Sequence, residues 1–211
     1  MVDGLLENGW ALFPAEETVA IWADAARSVA QARVADPEER AKWLQCEGTW
    51  FVGVDTLPND AQGSVGGSGP LGGAAIGAAR ALYGDLALHR GQVSVTYPGY
   101  PRPRAGESEA TFRYRLRRDA AHVDGLLAVG PDRRRMLKER HAYILGLPLT
   151  ETAPGASPMV VWEGSHLVMR GMFEAALAPL PEEDWAEVDL TEAYQAARRK
   201  VFDTCTRVEI A

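Results

Sequence analysis

Cysteine and histidine are both scarce in this chain, which has two cysteines and four histidines among 211 residues. Cys46 and Cys205 stand in unrelated contexts, so the sequence offers neither a disulfide framework nor a cysteine metal cluster. Any metal site in these residues must therefore be built from histidine and carboxylate ligands.

Long apolar runs are also missing. No stretch of the sequence approaches the roughly 20 apolar residues that a membrane span needs. Asp3 stands near the amino terminus, where a secretory signal has basic residues. We therefore expect a cytoplasmic protein that has no membrane partner.

Positive charge is the third shortage. The chain has 22 lysines and arginines against 29 acidic residues, which gives a formal net charge of −7. Because nucleic-acid binding rests largely on neutralising phosphates with basic side chains, this balance argues against a nucleic-acid partner and favours a small-molecule substrate. With 46% hydrophobic and 24% charged residues, the composition is typical of one globular domain, here covering residues 1–211.

The first 90 residues are predicted to be mainly helical. Proline and acidic residues at helix starts, with apolar residues at helical spacing after them, predict three helices. These predicted helices cover residues 14–35, 36–43 and 74–88. A strand is predicted over Gly48–Val54. The glycine-rich residues 58–73 lack the lysine of a phosphate-binding loop, so we predict a surface loop or lid there.

Short strand-like runs dominate from residue 91 onward. The predicted strands are Gln92–Tyr97, Phe112–Arg117, Ala142–Leu147, Met159–Trp162 and Arg207–Ile210. A helix is predicted at about Leu190–Cys205, an exposed helix start at Arg133–Arg135, and a loop-like excursion over residues 163–189. Helices followed by strands with inserted helices indicate an α+β chain, with a helical layer over residues 1–90 and a β-rich core over residues 91–211.

One short motif carries chemistry. His122 and Asp124 are two residues apart, and on a strand such residues face the same side, whereas Val123 faces the other. An imidazole and a carboxylate delivered to one point are two of the three ligands of a non-haem iron(II) centre that leaves positions open for a cosubstrate and oxygen. By itself the motif is weak, since a surface histidine followed by a turn-forming Asp-Gly has the same sequence.

The amino-acid sequence around this motif resembles that of the phytanoyl-CoA dioxygenase-like family. The segments that resemble it, in order, are Gln92–Tyr97, Tyr97–Pro101, Arg117–Asp124, His141–Leu147 and Gly155–His166. Within the last segment, Glu163-Gly164-Ser165-His166 resembles the Pro-Gly-Ser-His turn of the family, with glutamate in place of proline. The resemblance covers residues 90–170 and rests on the order of several parts.

The resemblance implies a fold, cofactors and site residues. The expected core is a double-stranded β-helix of the jelly-roll or cupin type with flanking helices, incomplete at the carboxyl terminus. The expected cofactors are iron(II) and 2-oxoglutarate, with molecular oxygen and a small-molecule substrate as partners. His122 and Asp124 would be the catalytic metal ligands, and Tyr143 would lie beside the cosubstrate; a buried core tyrosine is the alternative. A homodimer is left open.

The third ligand is not evident. Family members have a further histidine, followed by an arginine that holds 2-oxoglutarate, and neither segment is present in these 211 residues. After His122 only His141 and His166 follow. We expect the sequence to be part of a longer enzyme that supplies the missing ligand. The alternative is that His166 acts as a substitute ligand in a smaller barrel.

Several other polar residues have two interpretations. His141 could face the same side as Tyr143, but a surface histidine at the start of a strand is the favoured interpretation. Arginines at alternating positions, with others nearby, could hold an anionic substrate; a solvated edge is favoured instead. These arginines are Arg102, Arg104, Arg113, Arg115, Arg117 and Arg118.

From the sequence we therefore predict an iron(II)- and 2-oxoglutarate-dependent dioxygenase that hydroxylates a small organic substrate. A first alternative is a non-catalytic, metal-free member of the fold that acts as a binding or structural module, which the absent third ligand favours. A second is a zinc or manganese hydrolase, which would need more histidine or carboxylate ligands than the sequence places.

Overall fold

A computed structural model describes residues 2–153 and 155–210 and shows a mixed α+β fold. The α-helices are α1 (Val2–Asn8), α2 (Glu17–Ala35), α3 (Pro37–Trp43), α4 (Ala74–Tyr83), α5 (Glu109–Leu116), α6 (Ser165–Leu177) and α7 (Thr191–Thr204), with a 3-10 helix at Glu182–Glu187. The strands are β1 (Leu44–Gln45), β2 (Trp50–Leu57), β3 (Gly91–Thr96), β4 (Leu126–Val129), β5 (Arg134–Leu137), β6 (Met159–Glu163) and β7 (Thr206–Ile210). No helix in the described ranges is both long and apolar enough to cross a membrane.

The strands form three separate antiparallel sheets, in the orders β1-β2-β3, β4-β5 and β6-β7. The α+β class predicted from the sequence is confirmed. The double-stranded β-helix stays a prediction.

The chain divides into two compact units. Unit A consists of Phe13–Leu116 and Leu145–Ser157; unit B consists of the segment up to Leu12, Arg117–Ile144, and the chain from Pro158. The predicted single domain over residues 1–211 stays a prediction.

Unit A is built around the three-stranded sheet. Phe51 on β2 is fully buried, and Trp22 of α2 and Val93 of β3 pack with it in one apolar cluster. Asp36 ends α2 and starts α3, because its side chain accepts hydrogen bonds from the backbone N–H groups of Glu38 and Glu39. The sheet and its covering helices therefore form one core.

Unit B has its own core and contains the candidate site. Leu126 of β4, Leu177 of α6 and Tyr194 of α7 are buried in one cluster with Leu190. Sheets β4-β5 and β6-β7 both lie in this unit. Leu190 N–H donates to Arg135 O at 2.8 Å, which fixes the start of α7 to the β4-β5 hairpin.

Most predicted elements are confirmed. The structure has helices where they were predicted at residues 14–35, 36–43, 74–88 and 190–205, with ends shifted by a few residues. The strands predicted at residues 48–54, 92–97, 159–162 and 207–210 are present as β2, β3, β6 and β7. The patterns of spacing and capping that predicted them were therefore sufficient at these places.

The predicted strand Phe112–Arg117 is wrong, because all of this segment except Arg117 belongs to helix α5. Ser108 Oγ accepts a hydrogen bond from Thr111 N–H at 3.2 Å, which is a helix N-cap. Glu109 and Arg113 then pair across one turn. The alternating arginines therefore do not project from one strand face.

Two further predictions in the second half are wrong. The arginines after Pro131 do not start a helix, since Val129 pairs with Arg134 across a hairpin between β4 and β5. Residues 142–147 form no strand in the structure. Leu145 and Leu147 instead pack against the core of unit A, which explains an alternating apolar pattern without strand pairing.

The predicted loop-like excursion over residues 163–189 contains helix α6 and the 3-10 helix. Residues of α6 that pack against the core of unit B are Met169, Met172, Phe173 and Ala176. The last three follow Met169 by three, four and seven residues, which is the helical spacing that the prediction of a loop-like excursion missed.

Candidate metal centre

His122 and Asp124 lie together in unit B, in the segment that leads into β4. They are not on a strand as predicted; His122 is in an irregular stretch and Asp124 begins a turn. The turn brings His122 Nε2 to 3.0 Å from Asp124 Oδ1. The two side chains, two residues apart in the sequence, are therefore brought together by a turn and not by a strand.

The backbone fixes the orientation of the His122 ring. Nδ1 lies 3.0 Å from the carbonyl oxygen of Ala120. Because a carbonyl oxygen only accepts, Nδ1 carries the hydrogen in this contact, and Nε2 is the nitrogen that faces Asp124. A ring nitrogen held in this way by a backbone carbonyl is the usual arrangement behind a metal-binding histidine.

The Asp124 carboxylate is held in its charged form. The hydrogen bond from His122 is the main cause that lowers the pKa of Asp124 below its usual value, and the charges of His122 and His141 lower it further. Partial burial acts in the opposite direction. The carboxylate is therefore in the ionised form that binds a cation, and a metal ion between the two side chains would have to displace the His122 Nε2 proton that now bonds to Asp124.

The geometry of the pair fits two neighbouring positions around a metal ion. Two ligands with bonds of about 2.1 Å at right angles are about 3 Å apart, and the two facing atoms are 3.0 Å apart. The His122 side chain is 69% exposed and that of Asp124 is 44% exposed, so further ligands have access. The same distance is that of an ordinary hydrogen bond.

No third ligand joins the pair within residues 2–153 and 155–210, where no three His, Cys, Asp or Glu side chains are grouped to hold a metal ion. His141 lies near the turn, because its Cδ2 is 3.0 Å from where a Cβ would stand on Gly125, and its Nε2 lies 3.3 Å from Glu139 Oε2. Two of the three expected ligands are therefore placed together.

His166, the proposed substitute ligand, lies in the first turn of α6 and contacts α1. Its Nε2 lies 2.8 Å from Leu6 O, a residue of α1. Its Nδ1 is buried and has no hydrogen-bond partner among the described residues. The ring therefore orders the contact between α6 and α1.

Tyr143, the predicted cosubstrate residue, also belongs to unit B. It is half-buried in the irregular segment after β5, where a strand was predicted. Its placement beside a cosubstrate stays a prediction.

Several of the arginines considered for an anionic substrate contact other side chains of the protein, in two different units. In unit A, Arg115 pairs with Glu107 at 2.8 Å, and Arg104 lies over the Trp50 ring at 5.6 Å. In unit B, Arg118 lies over the Phe202 ring at 4.9 Å. They do not form one anion-binding strand face.

Sequence reasoning missed two residues that hold the turn. Tyr194 and Arg198, both on α7, bond to the backbone on either side of His122. The only signal was their spacing of four, which places both on one face of a helix. The partner of that face lies over 70 residues away in the chain, so no local pattern could name it.

Comparisons of the chain with family models, curated proteins and solved structures find no match. The resemblance to the phytanoyl-CoA dioxygenase-like family therefore rests on the quoted segments alone.

Proposed function

We propose that this chain contributes His122 and Asp124 to the iron(II) centre of a 2-oxoglutarate-dependent dioxygenase. The observation that carries the proposal is the pair itself, with Nε2 and Oδ1 at 3.0 Å and open to solvent. Iron(II) with 2-oxoglutarate would supply the activation of oxygen for hydroxylating a small organic substrate. The family resemblance supports this choice over other uses of a histidine and an aspartate.

In this proposal each residue has a separate task. Asp124 supplies a charged oxygen ligand and His122 supplies a neutral nitrogen ligand through Nε2. The Ala120 carbonyl holds the imidazole through Nδ1, so that the ring does not rotate away. Tyr143 would contact the cosubstrate. The third metal ligand would be a histidine other than His122.

Fold and location belong to the same proposal. We infer a double-stranded β-helix core within residues 91–211, since such folds are built from antiparallel pairs such as β4-β5 and β6-β7. A cytoplasmic location agrees with the free thiols of Cys46 and Cys205, which a reducing compartment preserves.

The proposal is tested by metal binding before turnover. Co(II), an air-stable probe for iron(II), is titrated into the wild type, Asp124→Ala and Asp132→Ala. Alanine offers no oxygen ligand, so Asp124→Ala should abolish Co(II) binding, and should also abolish uncoupled 2-oxoglutarate turnover by the full-length protein. Asp132, a 72% exposed aspartate in the next turn, is the matched control and should bind as the wild type does. Wild-type Co(II) binding by Asp124→Ala would remove Asp124, and with it the proposed pair, from the site.

The same titration assigns the third ligand. If His166 is the substitute, His166→Gln should lose binding as completely as Asp124→Ala. If another histidine fills this place, His166→Gln should keep wild-type affinity, because its Nε2 is engaged with Leu6.

The second candidate is a non-catalytic binding or structural module. The absence of a three-ligand group from the described residues favours it. In that case His122 and Asp124 form a hydrogen-bonded turn, and the wild type should bind no more Co(II) than Asp124→Ala does.

A further inference from the structure

Helix α7 presents two side chains to the backbone around His122. Val123 N–H donates a hydrogen bond to Tyr194 Oη at 3.2 Å. Arg198 Nη2 donates to the carbonyl oxygen of Ala121 at 2.9 Å. The peptide groups on both sides of His122 are thus each anchored to one face of the same helix.

Both anchoring side chains are themselves held in place. Tyr194 is 4% exposed and belongs to the core of unit B. The Arg198 guanidinium lies over two rings, 5.4 Å from the centre of Phe202 and 5.6 Å from that of Tyr194. Because stacking fixes the plane of the guanidinium, little freedom is lost when Nη2 bonds to the turn.

The turn at residues 117–120, just before His122, needs such support. Asp119 and Ala120 have φ values of 50° and 54°, in the left-handed region that side chains other than glycine disfavour. Both Asp119 carboxylate oxygens lie 2.8 Å from Arg207 on β7. Ala120 is also the residue whose carbonyl oxygen orients the His122 ring. Displacing the backbone would therefore move the ring as well.

We propose that Tyr194 and Arg198 are positioning residues for the His122–Asp124 pair. They act through the backbone of Ala121 and Val123, and keep Nε2 and Oδ1 at the separation of two neighbouring metal ligands. The metal consequence rests on the proposed function, whereas the positioning of the pair stands on the contacts alone.

Two matched substitutions test this inference. Tyr194→Phe removes only the hydroxyl, and Arg198→Gln removes the guanidinium. We expect each substitution to weaken Co(II) affinity by on the order of tenfold, which is the usual effect of replacing a group that orients a metal ligand. Arg198→Lys should lose less affinity than Arg198→Gln, since its ammonium can still donate to Ala121 O but cannot reproduce the planar guanidinium over the two rings. A purely stabilising role would lower the thermal stability of these variants without changing the Co(II) affinity of the folded protein.

The controls are Arg199→Gln, an exposed arginine on the same helix, and Tyr83→Phe, a 42% exposed tyrosine of unit A. Both should bind Co(II) as the wild type does. Thermal unfolding of every variant is recorded, so that affinity is compared only between folded proteins.

Two metal-free measurements separate this inference from the proposed function. Loss of one hydrogen bond should speed amide exchange of Val123 by about fivefold in Tyr194→Phe. The ring nitrogen signals of His122 in nuclear magnetic resonance should also move in both variants, because the ring loses its fixed orientation. If the wild type binds no Co(II), the proposed function fails, and the His122 signals still decide the positioning role. Unchanged His122 signals in both variants, or unchanged affinity where the wild type binds, would overturn it.

Discussion

Replacing Glu107 by glutamine should destabilise the protein by about 2 kcal/mol at pH 7. Glu107 and Arg115 form a two-pronged ion pair at 2.8 and 3.0 Å, with side chains that are only 9% and 12% exposed. Glu107 also accepts from Arg104 N–H at 3.0 Å. These bonds lower the pKa of Glu107 from 4.5 to about 2, and the bond from Arg115 has the largest effect.

The magnitude follows from this lowering of the pKa. It corresponds to about 3 kcal/mol at neutral pH. We reduce this to about 2 kcal/mol because glutamine keeps one oxygen acceptor for Arg115, and because hydrogen bonds to charged groups contribute roughly 1.5–3 kcal/mol. The folded-state pKa lies below the unfolded one, so the contribution is complete above pH 4.5 and is lost as the pH falls toward 2.

The assay is urea unfolding of wild type and Glu107→Gln, followed by tryptophan fluorescence at pH 7 and pH 3. The difference in unfolding free energy should shrink to roughly half at pH 3, because there the carboxylate is largely protonated in the unfolded state but still mostly ionised in the folded state. Glu109→Gln is the matched control. Its partner is Arg113 and both side chains are exposed, so it should change stability by less than about 0.5 kcal/mol. A difference for Glu107→Gln that is equally small, or equal at both pH values, would refute the reasoning.

Three further stability predictions use the same unfolding assay. Phe51→Ala should cost about 3–5 kcal/mol, because the ring is fully buried in the core of unit A; a cost under about 1 kcal/mol would contradict that burial. Gly125→Ala should cost on the order of 2 kcal/mol or more, since φ is +78° and a Cβ would overlap the Glu139 carbonyl oxygen. Asp36→Ala should cost about 1 kcal/mol by removing the N-cap of α3, whereas Asp36→Asn should cost less.

Local signals in the sequence predicted those elements that local interactions determine. Asp36 caps α3 through Glu38 and Glu39, and all three residues are adjacent in the chain. Strand β2 was visible from its aromatic and branched residues. The strand predicted at Phe112–Arg117 was wrong because an alternation of arginines was given more weight than Ser108, whose side chain caps α5.

The candidate site was predictable only in part, for a physical reason. The spacing of His122 and Asp124 places them together on a strand or in a turn, so their proximity did not depend on the correct secondary structure. The groups that support the turn are Tyr194, Arg198 and Arg207, over 70 residues further along. Such contacts are set by tertiary packing, which spacing does not encode.

The exposure of the pair separates the two candidate functions. Oxygen chemistry at a metal requires that water be excluded from the reacting centre, yet the His122 and Asp124 side chains are 69% and 44% exposed. A catalytic site must therefore gain cover from substrate, cosubstrate or further protein, whereas a structural turn needs none. Metal affinity measured without substrate tests whether His122 and Asp124 are ligands. A loss of solvent exposure of the two side chains when 2-oxoglutarate is added tests whether the site becomes covered. A pair that binds no metal would favour the structural turn, and a pair that binds metal but stays exposed after 2-oxoglutarate is added would count against a dioxygenase.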